Sequence, residues 1–257
     1  MEKNQCYHEV VEKVIEQLKV EFGNELLGIV LSNSVIYEPL NKQCGLEIDV
    51  IIRSSWRQSR AFVIAGVNVQ LRINPAHQIQ KEFQNTDFPE TLDNFANGQI
   101  LYDPQGVIAY LTLQAQYIWQ QPKAVLSAKH LLKFRSLLYL QLQEAHELIK
   151  EDEMRASFVM CNTLVFILDL HYKLQRRWKV KPKYQLCDLH AYAPDIERLV
   201  RCFLVSNNSV QRQYEYLALL VDQVLEPFGG RLEEWKTEPE TLPLRAYENV
   251  TPVQRSF

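Results

Sequence analysis

The chain has 257 residues, 47% of them hydrophobic, with 28 Lys and Arg set against 31 Asp and Glu. That is enough apolar material for a sizeable core, in one large domain or two smaller ones. A net charge of −3 exerts no global pull towards nucleic acid or membrane, so any polyanion site must be local.

The N-terminal stretch MEKNQCYHEVVEKVIEQLKVEF is charged and amphipathic, unlike a signal peptide. Val10, Val11, Val14, Ile15 and Leu18 fall at helical spacing, which predicts a helix over about 7–22 ended by Gly23-Asn24. The apolar run from Leu26 to Ser32 reads as a short strand, followed by the polar Ser32-Asn33-Ser34 and a turn-rich passage. A second strand, CGLEIDVII over 44–52, carries two carboxylates. Val67, Val69, Leu71 and Ile73 alternate in a third strand that Pro75 closes. A helical stretch and the segment NGQILYDPQG complete an alternating half ending near Pro122. Two long helices then follow, broken around 150–153, with Ser127 and Asp152 as caps. Shorter helices are expected around 183–189, 194–205 and 210–225, with Gly229-Gly230 as the stop. The resulting expectation is an α+β fold, with a mixed sheet flanked by helices over 1–122, a helical bundle over 123–230 and a loosely attached tail over 231–257. No apolar run approaches membrane-helix length. The five scattered cysteines form no CxxC pair, which suggests reduced thiols in a cytoplasm and neither a zinc site nor a disulfide framework.

Glu47 and Asp49 pose the main question. Side chains alternate across a strand, so the two share a face with Cα atoms roughly 6.5 to 7 Å apart. Like charges that close on a buried face repel and are costly to desolvate, so something positive must compensate them. A divalent metal is one candidate. The competing reading is a solvated pair that protects a sheet edge.

A strand, a short polar turn holding Ser34, about a dozen residues and then acid-x-acid on the next strand resembles the nucleotidyltransferase domain of the polymerase β superfamily. VNVQLRINPAHQI, FANGQILYDPQG and VLEPFGGRLEE look like later segments of that family, so the resemblance spans 25 to about 235. The arrangement is most similar to bacterial nucleotidyltransferases with a C-terminal helical domain, the group that includes aminoglycoside nucleotidyltransferases. The resemblance implies an Mg²⁺-dependent transfer of a nucleoside monophosphate, AMP from ATP, to a hydroxyl of a small molecule, an RNA end or a protein. Glu47 and Asp49 would be catalytic and hold the metal, and Ser32, Asn33 and Ser34 would meet the phosphates. Lys183, with Lys181 second, would reach into the cleft from the helical domain.

This sequence departs from the family pattern at three places. Asn33 stands at the signature glycine and Glu47 at the usual first Asp. Gln70 stands where a third carboxylate is common, and an amide can neither accept a proton at neutral pH nor replace an anionic ligand well. The alternative is therefore a catalytically degenerate, nucleotidyltransferase-like binding or regulatory protein.

KLQRRWKVKPK over 173–183 reads either as a solvated helix end, its cations complementing the dipole, or as a polyanion contact that with Trp178 could touch RNA. His77, His130, His146, His171 and His190 lack metal-ligand spacing and are expected as surface or satisfied core residues. Asp103 is expected to form a turn. Tyr110, Tyr117, Trp119, Phe134 and Tyr139 are expected in core and interdomain packing, with Glu144 and Asp169 facing the cleft.

Overall fold

The computed structural model describes residues 2–32, 45–84, 89–205 and 209–236. In chain order the sheet half contains α1 (Glu2–Phe22), β1 (Leu26–Leu31), β2 (Leu46–Ile52), β3 (Gln58–Ile64), β4 (Val67–Pro75), α2 (Ala76–Glu82), α3 (Glu90–Asn97), β5 (Gln99–Tyr102) and α4 (Val107–Gln120). The helical half contains α5 (Ala128–Glu151), α6 (Glu153–Leu174), α7 (Pro182–Tyr192), α8 (Pro194–Leu204) and α9 (Val210–Leu225). The architecture is α+β, a mixed sheet flanked by helices with a helical bundle after it.

The five strands run in the order β3-β4-β2-β1-β5. β2 and β4 are parallel and every other pairing is antiparallel. The acidic strand β2 therefore lies at the centre of the sheet, which overturns edge protection as the reason for its carboxylates. β3 went unrecognised in the sequence. It joins β4 through a two-residue turn, Ala65 and Gly66, both with positive φ. That geometry matches the twist of a hairpin, and Ala accepts it at some steric cost.

Alternation gives the sheet two apolar faces. Leu46, Ile48, Val50 and Ile52 join Val69, Leu71 and Ile73 beneath Val10, Val14 and Leu18 of α1. On the other side Val30 and Ile51 pack against Ile79 of α2, Leu92 and Phe95 of α3, and Ile108 and Leu111 of α4. Glu47 and Asp49 belong by alternation to this second face, under α3. Gly28 lets α4 come close: a Cβ there would lie 2.2 Å from Ile108 Cγ1 and 2.7 Å from the Tyr102 carbonyl oxygen. Asp103 does more than turn the chain. Its carboxylate accepts from the N–H groups of Ile108 and Ala109, at 3.1 and 2.8 Å, in the first turn of α4.

The two long helices begin at the predicted caps. Ser127 accepts from the His130 N–H, and Asp152 from the Met154 and Arg155 N–H groups. Leu138, Leu142, Met160, Leu164, Ile167, Leu217, Leu220 and Val224 form the bundle core. By length and composition α6 is apolar enough to cross a membrane, but it packs its buried side into this core. The two halves touch at the 120s: the Lys123 N–H donates to the Arg176 carbonyl at 3.0 Å, and Trp178 packs into the sheet-side cluster. The segment 237–257, most of the expected tail, lies outside the described residues, while Arg231 at its start pairs with Asp222 at 2.7 Å.

Candidate functional site

Asp49 is 1% exposed, in the middle of β2. A lone carboxylate there would face a large desolvation cost. Its parallel neighbour in register on β4 is Arg72. The guanidinium meets both carboxylate oxygens: Nε donates to Oδ1 and Nη2 to Oδ2, each at 2.9 Å. Asn94 of α3, itself fully buried, adds an Nδ2 donation to Oδ2 at 3.2 Å. Burial works against the charge on Arg72, but the Asp49 carboxylate, with Glu90 and Glu47 behind it, outweighs that and holds the guanidinium protonated well above its ordinary range.

Glu47, two residues earlier on the same face, is neutralised from the helical half. Lys181, the residue that leads into α7, hydrogen-bonds Glu47 Oε2 and lies 3.2 Å from Glu90 Oε1. Lys183 stands 3.5 Å from Glu47 Oε1, and Arg72 Nη1 is 3.6 Å from Oε2. Burial alone would push the Glu47 carboxyl up. The Lys181 hydrogen bond and the charges of Lys181, Arg72 and Lys183 prevail and hold it below the ordinary glutamate value. Glu90 closes the ring by accepting from Arg72 Nη1 at 2.8 Å. Three cations thus balance three carboxylates, and the cluster ties the sheet to α7.

The structure brings five of the expected site residues together: Ser32, Glu47, Asp49, Lys181 and Lys183. Lys181 rather than Lys183 makes the intimate contact, reversing the expected order. The backbone explains this, since Pro182 is in the first turn of α7 and Lys181 precedes it in extended conformation, its side chain only 16% exposed. Ser32 is buried, and its hydroxyl faces Glu47 Oε2 at 3.4 Å. Asn33 and Ser34 lie outside the described residues. Gln70 is exposed and stands beside Glu47 in the β2–β4 register. Arg72, Asn94 and Glu90 were missed as site residues. The alternation of β4 puts Gln70 and Arg72 on one face in the sequence, but only the parallel register aligns Arg72 with Asp49.

These donors do not fit Mg²⁺ as they stand. Both Asp49 oxygens are taken by one guanidinium, Glu47 is taken by Lys181, and the six charges already cancel. A divalent ion would have to expel a protein cation first. Among the described residues no group of three or more His, Cys, Asp or Glu is placed to hold a metal. One feature leans the other way: Asn94 Oδ1 is buried with no partner among the described residues, leaving a vacant acceptor next to Asp49.

Other expectations resolve differently. Asp169 pairs with Lys173 at 2.7 Å and Lys179 at 3.4 Å, and Glu144 is exposed. His171 is only 5% exposed, yet its Nε2 has no partner among the described residues, so it is not a satisfied core histidine. Burial, with the Arg177 charge beside it, lowers its pKa to about 4. Tyr110 and Tyr117 are 55% and 69% exposed and do not pack in the core. α4 turns its Ile108, Leu111 and Ala115 inwards and leaves these two outside.

No family model matches this sequence, and no curated protein does. Among solved structures, the chain is similar to a nucleotidyltransferase-like protein from Exiguobacterium sibiricum 255-15, with 12% identity, 84% of this chain and 75% of that chain covered, and a TM-score of 0.46.

Proposed function

We propose that this chain is a nucleotidyltransferase-like protein whose two carboxylates serve ion pairing, Asp49 within the sheet half and Glu47 across to the helical half, and that it works by binding rather than by metal-dependent transfer. The observation that carries this reading is the fork of Arg72 on Asp49, closed at both oxygens, in a protein interior that strengthens such contacts and punishes their loss. Lys181 on Glu47 does the same for the second carboxylate and couples α7 to β2. Gln70 beside Glu47 supplies no base.

A second reading has its own support in the convergence of Ser32, Glu47, Asp49, Lys181 and Lys183, and in the vacant Asn94 oxygen. In it the ion pairs are a resting arrangement that opens for magnesium and a nucleoside triphosphate, with AMP passing to a small-molecule, RNA or protein hydroxyl. Titration calorimetry with a non-hydrolysable ATP analogue, with Mg²⁺ and with EDTA, separates the two. The binding reading expects no Mg²⁺-dependent affinity tighter than about 1 mM, and no gain in the Lys181→Ala variant. Mg²⁺-dependent binding that Glu47→Gln abolishes would replace it with the transferase.

A further inference from the structure

The charges of this chain are sharply segregated. Segments 104–143 and 170–187 hold ten of the 28 Lys and Arg and none of the 31 Asp and Glu. The rest of the chain therefore carries 18 cations against 31 acids. The fold joins the two acid-free segments, because Lys123 N–H donates to the Arg176 carbonyl and Arg176 Nε donates to the Lys123 carbonyl at 2.8 Å. Four of the ten cations serve elsewhere, Lys181 and Lys183 at Glu47 and Lys173 and Lys179 at Asp169. Arg135 donates to the carbonyls of Gly229 and Gly230.

At this junction opens a cleft of about 350 Å³, whose walls include Trp119, Gln121, Arg176, Arg177, Trp178 and Asp188. Trp119 and Trp178 stack with ring centroids 5.7 Å apart and planes 13° from parallel. The Lys123 ammonium lies 5.0 Å from the Trp178 ring centre. Asp188 adds little free negative charge, since it accepts from the Tyr172 hydroxyl at 2.7 Å and faces Arg177 at 3.4 Å. Arg176 holds a left-handed backbone, φ 56°, uncommon for a residue with a side chain. Apart from its Nε, the guanidinium has no hydrogen-bond or ion-pair partner among the described residues.

Next to the cleft lies the outer face of α4. Gln121 is one turn beyond Tyr117, and Leu113 and Tyr110 follow at helical spacing, all exposed. Tyr110 and Tyr117 are two turns apart, about 10 Å along the axis. Between them stand glutamines and no charge. Exposed aromatics beside a cationic aromatic cleft are the composition that holds successive bases by stacking and their phosphates by charge. A mononucleotide would reach only one end of it.

We infer that the Trp119–Trp178 cleft and the Tyr110–Tyr117 face of α4 form a binding site for single-stranded nucleic acid. The site shares no residue with the Glu47–Asp49 cluster and does not depend on how that cluster functions. The test is fluorescence anisotropy of the full chain with a labelled mixed-sequence 12-nucleotide RNA, the matching DNA strand and their duplex, in EDTA. Single strands are expected to bind at about 10 µM in 50 mM salt, with a log–log salt slope near −2 for about three phosphate contacts. RNA binding tighter than DNA identifies a 2′-hydroxyl contact, and equal affinity leaves the site general for single strands. Tyr117→Ala and Arg176→Asn should each weaken binding about tenfold; Asn tolerates the left-handed backbone, and thermal melting of both variants checks that they fold. Duplex bound as tightly as single strand, displacement by polyglutamate at equal charge, affinity unchanged in both variants, or no binding below about 1 mM would each overturn the inference.

Discussion

Replacing Arg72 by Met keeps the bulk of the side chain and removes both donors to Asp49. Asp49, 1% exposed, would keep Asn94 Nδ2 as its one hydrogen-bond donor of those seen here, at 3.2 Å. Breaking a buried ion pair from one side costs about 3–5 kcal/mol, because the remaining charge is left uncompensated. That is a large part of the 5–15 kcal/mol that typically separates folded from unfolded chains. Urea denaturation followed by far-UV circular dichroism would measure it. Adding Asp49→Leu should recover at least half of the loss, since an apolar pair of similar volume avoids the buried charge. The same variant probes the chemistry of the site. With the guanidinium gone, Mg²⁺ or Mn²⁺ should stabilise Arg72→Met by about 1 kcal/mol at several-fold excess over its dissociation constant, and should leave the parent chain unchanged. A loss under about 1 kcal/mol, or a double variant no better than the single one, would refute the view that Arg72 is the counter-ion of Asp49.

Two more perturbations test the fold around the site. His171 has its pKa lowered to about 4, against 6.5 for the free side chain, so between those values the unfolded chain binds the extra proton and folding loses stability as pH falls. From pH 7 to pH 5 this amounts to about 2 kcal/mol; in His171→Phe, which preserves a ring against Tyr192, that part of the pH dependence should vanish from the thermal midpoint series. Gly28→Ala should cost about 2 kcal/mol or more, because the new methyl overlaps Ile108 and the Tyr102 carbonyl; an unchanged melting temperature would mean that α4 is not pressed against β1.

Local chemistry made much of this protein legible from its residues. The caps Ser127 and Asp152, the break between α5 and α6 and the strands flanking the polar turn follow from hydrogen-bonding side chains and from apolar periods of 3.6 and 2, which act over a few residues. The same short range explains the misses. β3 begins with Gln58-Ser59-Arg60, a polar start that hides its alternation, and its partner β4 is what makes it a strand. The expectation that Tyr110 and Tyr117 pack inside fails because the sequence alone does not say which face of α4 meets the sheet.

The residue pattern alone puts two carboxylates on one face of an apolar strand, makes the chain α+β with its helices gathered late, and sets a basic segment after the long helices. What those carboxylates meet is set by the folded arrangement. The parallel pairing of β2 with β4 sets Arg72 beside Asp49, and the packing of the bundle on the sheet carries Lys181 across 134 residues of chain to Glu47. Strand register and domain packing are cooperative properties of distant segments, fixed by the burial of whole faces. The identity of a counter-ion is settled at that level and cannot be read from the spacing of two acids.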